Sequence, residues 1–442
     1  MLALLAAGTG RAAEPAGPLV VVTSFPPAVF GRFKAAFEAR YPKVRLFVRS
    51  KKTSAAISFI QERLNEPADL FWVSAPDAFE VLKETGHLQP AFVDDLAGPP
   101  HAVGGYPIDE PGGYYRGFAL SGYGIAFNTD YLKRFGLPAP ARWQDLRRPE
   151  YRGHLAITAP SRSGTTHLIV ETILQGLGWT DGWALLLEMS GNLATITARS
   201  FGVLDGLVAG RFGIGATIDF FGLSAKATGA SVDFVYPEGT AFLPASIGIV
   251  RRSPNPVAAQ AFVDFLLSGP GQRMLFEAPI SRLPVSPAAY ADAPPGYPSP
   301  FDGALTAKGI RFDTRLSRQR YHLVNSLFDI MITYRLQVLR RAWLVVHQAE
   351  AALRGQDRPG LDDRLAERLA RARALLTRVP LGDAAARDPE PAGAFTRHKP
   401  GIALPRVQAD LEDRWRAAAQ RNQDEALRLA SGLLDALRRP LP

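Results

Sequence analysis

The sequence predicts an α/β protein of two lobes with a hinge, followed by a C-terminal all-helical extension. Three observations carry this. Residues 18–73 alternate β-branched strands with helical patterns through short loops, the order that builds a mainly parallel sheet covered by helices. A long extended segment with internal glycines, Gly117–Asn128, is followed by a second set of such units. Beyond about residue 310 the composition shifts to Arg-, Ala- and Leu-rich helical stretches. A chain of 442 residues, 47% hydrophobic and 21% charged, is globular and long enough for two or three structural units.

Pro18–Ser24 reads as a buried strand ended by the Pro26-Pro27 turn. Phe30, Phe33, Phe37 and Tyr41 then recur on one helical face, and Pro42 stops the helix. Val44–Arg49 alternates apolar and polar as a second strand. Lys51-Lys52-Thr53-Ser54 leads into a helix to Leu64, with a hydroxyl at its N-cap. Asp69–Val73 is a third strand, and Ala75-Pro76 opens the next helix. After the extended segment come a strand at Gly153–Ile157, the loop Thr158–His167, and a helix to Gln175. Leu204–Ala209 is helical, Gly213–Asp219 is a buried strand, and Ala245–Val250 returns the chain to the first lobe. These readings place lobe 1 in 18–125 with 246–285, and lobe 2 in 126–245. A Pro-, Ala- and Gly-rich linker spans 286–310, and the helical extension spans 311–442. Within the extension, helices are predicted at Thr314–Leu353, Leu361–Arg378 and Leu404–Leu437, with a loop over Pro380–Pro400.

Residues 1–13 resemble the end of a secretory signal peptide: an apolar run, then Ala12-Ala13 at the cleavage positions, with the basic start missing. The mature chain is expected to begin near Glu14, in the periplasm. No later stretch is apolar enough to span a bilayer; Tyr321–Val346 carries Asp329, Arg335, Arg340 and Arg341.

Zero Cys excludes disulfides, Cys-ligated metal and thiol catalysis. Nearly all of the net charge of +9 sits in the last third, where residues 301–442 hold 25 Lys+Arg against 17 Asp+Glu. Acids alternate with those bases along helical patterns, which reads as a solvated face, and no basic cluster interleaves with aromatics, so a nucleic-acid partner is not expected. The seven His are scattered without a His-Glu-x-x-His pair, and no Gly-x-Ser-x-Gly elbow occurs. The reading is therefore a non-enzyme without cofactor or metal. The carboxylates of Asp219 and Glu238 leave one hydrolytic alternative.

Helix N-termini attract anions, because free N–H groups and the helix dipole point at them. Three loop-to-helix junctions offer this together with hydroxyls. They are Ser24, then Thr53 and Ser54 behind two lysines, then Arg162, Ser163, Gly164, Thr165 and Thr166. Ser200 opens a fourth helix. Gly164 removes a side chain that would block a ligand, and Arg162 suits bidentate pairing with phosphate. The same Ser and Thr residues also serve as ordinary helix caps. Asp219 and Glu238 read equally as a helix cap and a turn carboxylate.

The order of these motifs resembles a family. Ser24-Phe25-Pro26 after a strand, Lys51–Ser54 before a helix, Asp69-Leu-Phe-Trp, Ser121–Asn128, Ser161–Thr166 and Tyr236-Pro-Glu-Gly-Thr240 are similar to the extracellular solute-binding proteins of ABC importers. Within them the chain resembles the ferric-iron and phosphorylated-solute branch, nearest its phosphoglycerate-transport regulatory and sugar-phosphate- and phosphonate-binding members. The likeness covers residues 18–285. It implies a type 2 periplasmic binding protein that closes on a small phosphorylated or otherwise anionic solute for an ABC permease in the inner membrane. A regulatory role toward a membrane sensor kinase is the alternative it implies. The resemblance also makes Asp219 and Glu238 acceptors for ligand hydroxyls. The iron branch carries a tyrosine pair where this chain has Phe220-Phe221, so ferric binding is not expected.

Overall fold

The computed structural model describes residues 14–62, 68–92, 102–103, 106–278, 280–354, 361–396 and 401–438. The expected leader lies outside them.

In lobe 1 the strand Gly17–Thr23 lies between Val44–Ser50 and Leu70–Val73, parallel to both. Leu19 to Val22 are all buried, which requires apolar residues on both faces of the strand. The following helix, Pro27–Arg40, buries Val29, Phe33 and Phe37. Their rings meet Trp72 and Phe262 edge-on, with Phe33 5.7 Å from Trp72 and Phe37 4.9 Å from Phe262. The helices Thr53–Glu62 and Pro76–Glu84 complete the lobe.

The lobes share one strand. Arg116–Asn128 pairs antiparallel with the return strand Phe242–Ile249 through Gly122, and with Ile214–Ile218 from Tyr123 onward. The return strand also pairs with Leu70–Val73. The first strands of each lobe pair in parallel, while the shared strand and the return strand pair antiparallel with every neighbour, a correction to a mainly parallel sheet. The glycines inside the shared strand are steric necessities. A Cβ at Gly122 would meet the Tyr236 ring at 2.5 Å, and one at Gly124 the Val235 carbonyl at 2.2 Å.

In lobe 2, Leu155–Thr158 lies parallel between Leu193–Thr197 and Ile214–Ile218. The helices Gly164–Leu177, Trp179–Met189, Phe201–Val208 and Asp219–Ala227 cover this sheet.

The segment 286–310 is not a free linker. Tyr290 and Tyr297 stack edge-on against Phe276 at 5.4 and 5.0 Å, and a β-bridge joins Gly309 to Thr240. Its aromatic side chains, not its prolines and glycines, decide its packing.

The extension differs from its predicted helices in two places. The expected single helix over Thr314–Leu353 is divided into Thr314–Gln319, Tyr321–Phe328, a widened π-type turn at Asp329–Thr333, and Leu336–Arg354. The expected loop over Pro380–Pro400 contains two short helices, Asp383–Arg387 and Pro389–Gly393, the second capped by the Asp388 side chain. The helices Leu361–Thr377 and Arg406–Arg438 pack against Leu336–Arg354. Leu323, Leu327 and Ile330 are buried within the chain, while Tyr334 on the same predicted face stays exposed. Among the described residues no helix is long and apolar enough to cross a membrane.

The extension grips both lobes. Arg320 pairs with Glu171 of lobe 2 through two hydrogen bonds of 2.9 and 2.8 Å, with both side chains buried. Arg318 pairs with Glu84 of lobe 1. Between them Ser317 meets Asp77 of lobe 1 at 3.2 Å and His167 of lobe 2 at 3.1 Å, and Asn325 meets the other His167 nitrogen at 2.9 Å. Serine and aspartate both lie on the Nε2 side of His167, inside the protein, so this cluster is a polar joint and not a nucleophilic triad.

Candidate functional site in the interlobe cleft

Every strand of lobe 1 that points toward lobe 2 ends at the cleft, which is where open α/β sheets place ligands. Ser24 follows the first strand, and Lys52 and Thr53 follow the second. Ser74 follows the third. From lobe 2 come Arg162, Ser163 and Thr165 at the start of Gly164–Leu177, then Arg199, Ser200 and Phe201 at the start of Phe201–Val208. Phe220 and Phe221 follow the strand Ile214–Ile218. These residues, with Phe25 and Pro26, line one narrow cavity. The lining has six hydroxyl side chains, three cations and no carboxylate.

The cleft is drawn closed. Ser74 Oγ lies 3.3 Å from Thr165 Oγ1 across it. Gly164 is where the lobes touch, since a Cβ there would meet Ala75 Cβ at 2.9 Å and Thr53 Oγ1 at 3.0 Å. The missing side chain thus admits the opposite lobe, which corrects the expectation that it clears space for a ligand. Ser163 caps its helix by accepting from Thr166 N at 3.2 Å, so its hydroxyl is partly engaged. Ser200 stands at the N-cap of Phe201–Val208 but makes no capping hydrogen bond, which leaves its hydroxyl to the cavity.

Of the residues predicted from sequence, Ser24, Thr53, Arg162, Ser163, Thr165 and Ser200 meet at this cavity. Ser54 lines a separate pocket beneath the extension, together with Lys52, Ser161, Arg162 and Tyr321. Thr166 is buried behind the cavity. Glu238 is exposed on the far turn, whose backbone bonds to Lys308. Asp219 is fully buried and accepts from Gly122 N at 2.6 Å, Phe220 N at 2.7 Å and Tyr236 Oη at 3.1 Å. Asp219 and Glu238 therefore do not face each other, and the carboxylate-pair alternative loses its geometry. Burial outweighs the three donors and the charge of Arg282, and lifts the Asp219 pKa to about 7. Sequence reasoning placed Lys52 at one of the junctions and missed Ser74 as a cavity residue. The position of Ser74 just past a strand end was the available signal.

A family model described as bacterial extracellular solute-binding protein matches residues 65–301. The phosphoglycerate transport regulatory protein PgtC of Salmonella typhimurium is 33% identical over 370 residues, 84% of this chain and 87% of that protein. The periplasmic binding protein AfuA of Actinobacillus pleuropneumoniae, solved with fructose-6-phosphate bound, superposes with a TM-score of 0.63 at 22% identity. That likeness covers 71% of this chain and 98% of AfuA. Apo ferric ion-binding protein A of Pasteurella haemolytica superposes with a TM-score of 0.56 at 15% identity, over 71% of this chain and 97% of that one. The two-lobed periplasmic binding fold is thus shared with both structures, while the likeness to PgtC extends further along the chain. The chain belongs to the bacterial extracellular solute-binding proteins, a family of binding proteins.

Proposed function

We propose that this chain captures a small phosphorylated or otherwise anionic organic solute in the periplasm and delivers it to an ABC permease. The observation that carries this reading is the lining of the cleft: six hydroxyls, three cations and no carboxylate. Two helices also begin at the same space, so the positive ends of their dipoles lie beside it. A neutral solute has no need of three cations, and a bare cation would be repelled by them. AfuA, which shares the fold, was solved with a sugar phosphate. Ligand contacts to both lobes stabilise the closed form, and the shared strand absorbs the rotation. Calorimetric titration with a phosphorylated metabolite and its dephosphorylated form tests the reading. Tight binding of the first alone is expected, and equal affinity for the two overturns it.

A second reading, a solute sensor that signals to a membrane sensor kinase, is supported by the extension. It touches both lobes, so its position depends on closure, and the relative matched along 84% of this chain is named a transport regulatory protein. Association of the loaded protein with the periplasmic domain of a sensor kinase, stronger than that of the unloaded protein, is the result this reading requires. Equal association in both states removes it.

A further inference from the structure

The extension holds the two lobes by unequal grips. On lobe 2 the grip is buried. Arg320 reaches Glu171 through a buried bidentate pair, and Trp179 Nε1 donates to the Leu381 carbonyl at 2.8 Å. Gly191 lies so close to Trp343 that a Cβ on it would stand 2.6 Å from the Trp343 Cβ. The helices Leu336–Arg354 and Leu361–Thr377 both pack on residues 179–192.

On lobe 1 the principal contact among the described residues is a single helix pair, Thr314–Gln319 on Pro76–Glu84. Two successive side chains tie it. Ser317 Oγ donates to Asp77 Oδ2 at 3.2 Å, and Arg318 pairs with Glu84, whose side chain is 49% exposed. Two recesses adjoin this contact. One has Lys52 and Ser54 of lobe 1 in its wall with Tyr321 and Asn325 of the extension, and the other has Glu80 and Lys83 with Arg311 and Arg315. One helix pair with a solvated ion pair and open flanks yields before a buried, bidentate one.

The weaker contact lies directly behind the cleft. The helix Pro76–Glu84 starts two residues after Ser74, and the helix Gly164–Leu177 starts one residue before Thr165. Ser74 meets Thr165 across the cleft at 3.3 Å, and further along the same two helices Asp77 Oδ2 lies 3.4 Å from His167 Nε2. Ser317 bridges that second pair, 3.1 Å from His167. Asn325 holds the other His167 nitrogen at 2.9 Å, so His167 stays with the extension. Parting the lobes at Ser74–Thr165 therefore pulls Asp77 away from Ser317 and His167.

We propose that the extension is a latch on the cleft. It travels with lobe 2, and opening breaks its contact with lobe 1 at Ser317–Asp77 and Arg318–Glu84. Solute enters and leaves with this contact broken. The contact favours the closed lobes before solute arrives, which raises the apparent affinity for solute. Ser317 and Arg318 are thus positioning residues for solute capture that act from outside the cleft.

The test uses the full chain without solute, so it does not depend on what the solute is. Arg318→Glu sets two acids against each other at the latch. It is expected to enlarge the radius of gyration in X-ray scattering and to speed amide exchange in residues 74–84 and 164–171. Residues 336–354 and 361–377 are expected to keep wild-type protection, because they ride on lobe 2. The closed-to-open ratio should fall about fivefold or more, the size of effect that reversing one exposed ion pair provides. The charge swap, Arg318→Glu with Glu84→Arg, is expected to restore the wild-type profile, a rescue that general loss of structure does not give. Unchanged scattering and exchange in Arg318→Glu overturns the proposal. So does exchange that rises in 336–354 and 361–377 as well, the result for an extension that leaves lobe 2, and so does a swap as open as the single variant. If Arg318→Glu fails to fold, Ser317→Ala removes the bridge to Asp77 without adding charge, and the same measurements on it decide.

Discussion

Replacing Arg320 with methionine removes the charge that holds the extension to lobe 2 and leaves Glu171 behind. Both side chains are 1% exposed or less, and two hydrogen bonds of 2.9 and 2.8 Å join them in a bidentate pair. Arg320 also lies over the Trp179 ring at 4.9 Å. Losing one partner of a buried pair strands the other charge in a low dielectric, at a cost of about 3–5 kcal/mol. Methionine fills most of the vacated volume, so the loss reports charge more than cavity. The double variant Arg320→Met with Glu171→Gln carries no stranded charge and should recover most of the loss. Burial alone would raise the Glu171 pKa, but the Arg320 guanidinium overrides it and holds the carboxyl below its ordinary 4.5. A carboxyl with a depressed folded pKa stabilises the fold above about pH 4.5, and that stability is lost as pH falls through the folded value. The gap between wild type and Arg320→Met should therefore be full at pH 7.5 and narrow in acid. Urea unfolding followed by tryptophan fluorescence measures it. A single variant within about 1 kcal/mol of wild type at pH 7.5, or a double variant as damaged as the single, would refute the reasoning.

Thr165→Ala should weaken binding of a phosphorylated solute about tenfold or more, since a hydrogen bond to a charged group contributes about 1.5–3 kcal/mol and about 1.4 kcal/mol is one decade. Unchanged affinity by calorimetry would move the phosphate elsewhere. Gly164→Val places a side chain where Ala75 Cβ and Thr53 Oγ1 stand 2.9 and 3.0 Å away, so the lobes should fail to close. Solution scattering that still contracts fully on ligand addition contradicts this. Asp219, with its folded pKa raised from 3.8 to about 7, contributes stability that is fully present below pH 3.8 and lost as pH rises through about 7. Three units correspond to on the order of 4 kcal/mol. Asp219→Asn should flatten that decline, and identical pH profiles for variant and wild type would rule the assignment out. Ferric iron should give no phenolate charge-transfer band, because Phe220 and Phe221 present no oxygen to the cleft; a strong band at one iron per chain reverses that expectation.

The strands of lobe 1 were legible because a strand buried on both faces must be an unbroken apolar run, and Leu19–Val22 and Leu70–Val73 are such runs. The loops that meet at the cleft were legible too, since Ser24, Thr53 and Ser163–Thr165 stand at strand-to-helix junctions and local order places those on one edge of the sheet. What each residue does there was not. Asp219 and Glu238 are both acids after apolar stretches, yet one is sealed behind the hinge and the other faces solvent, because burial depends on what packs from elsewhere in the chain. Gly164 offers an open approach in sequence and a contact between lobes in space. The partners Arg320 and Glu171 are separated by 149 positions, and the two rings on Arg282 come from residues 25 and 220. Periodicity records which face of one element is apolar. It carries no record of which distant element covers that face, and so the docking of the extension and the burial of its charges were decided only by the tertiary structure.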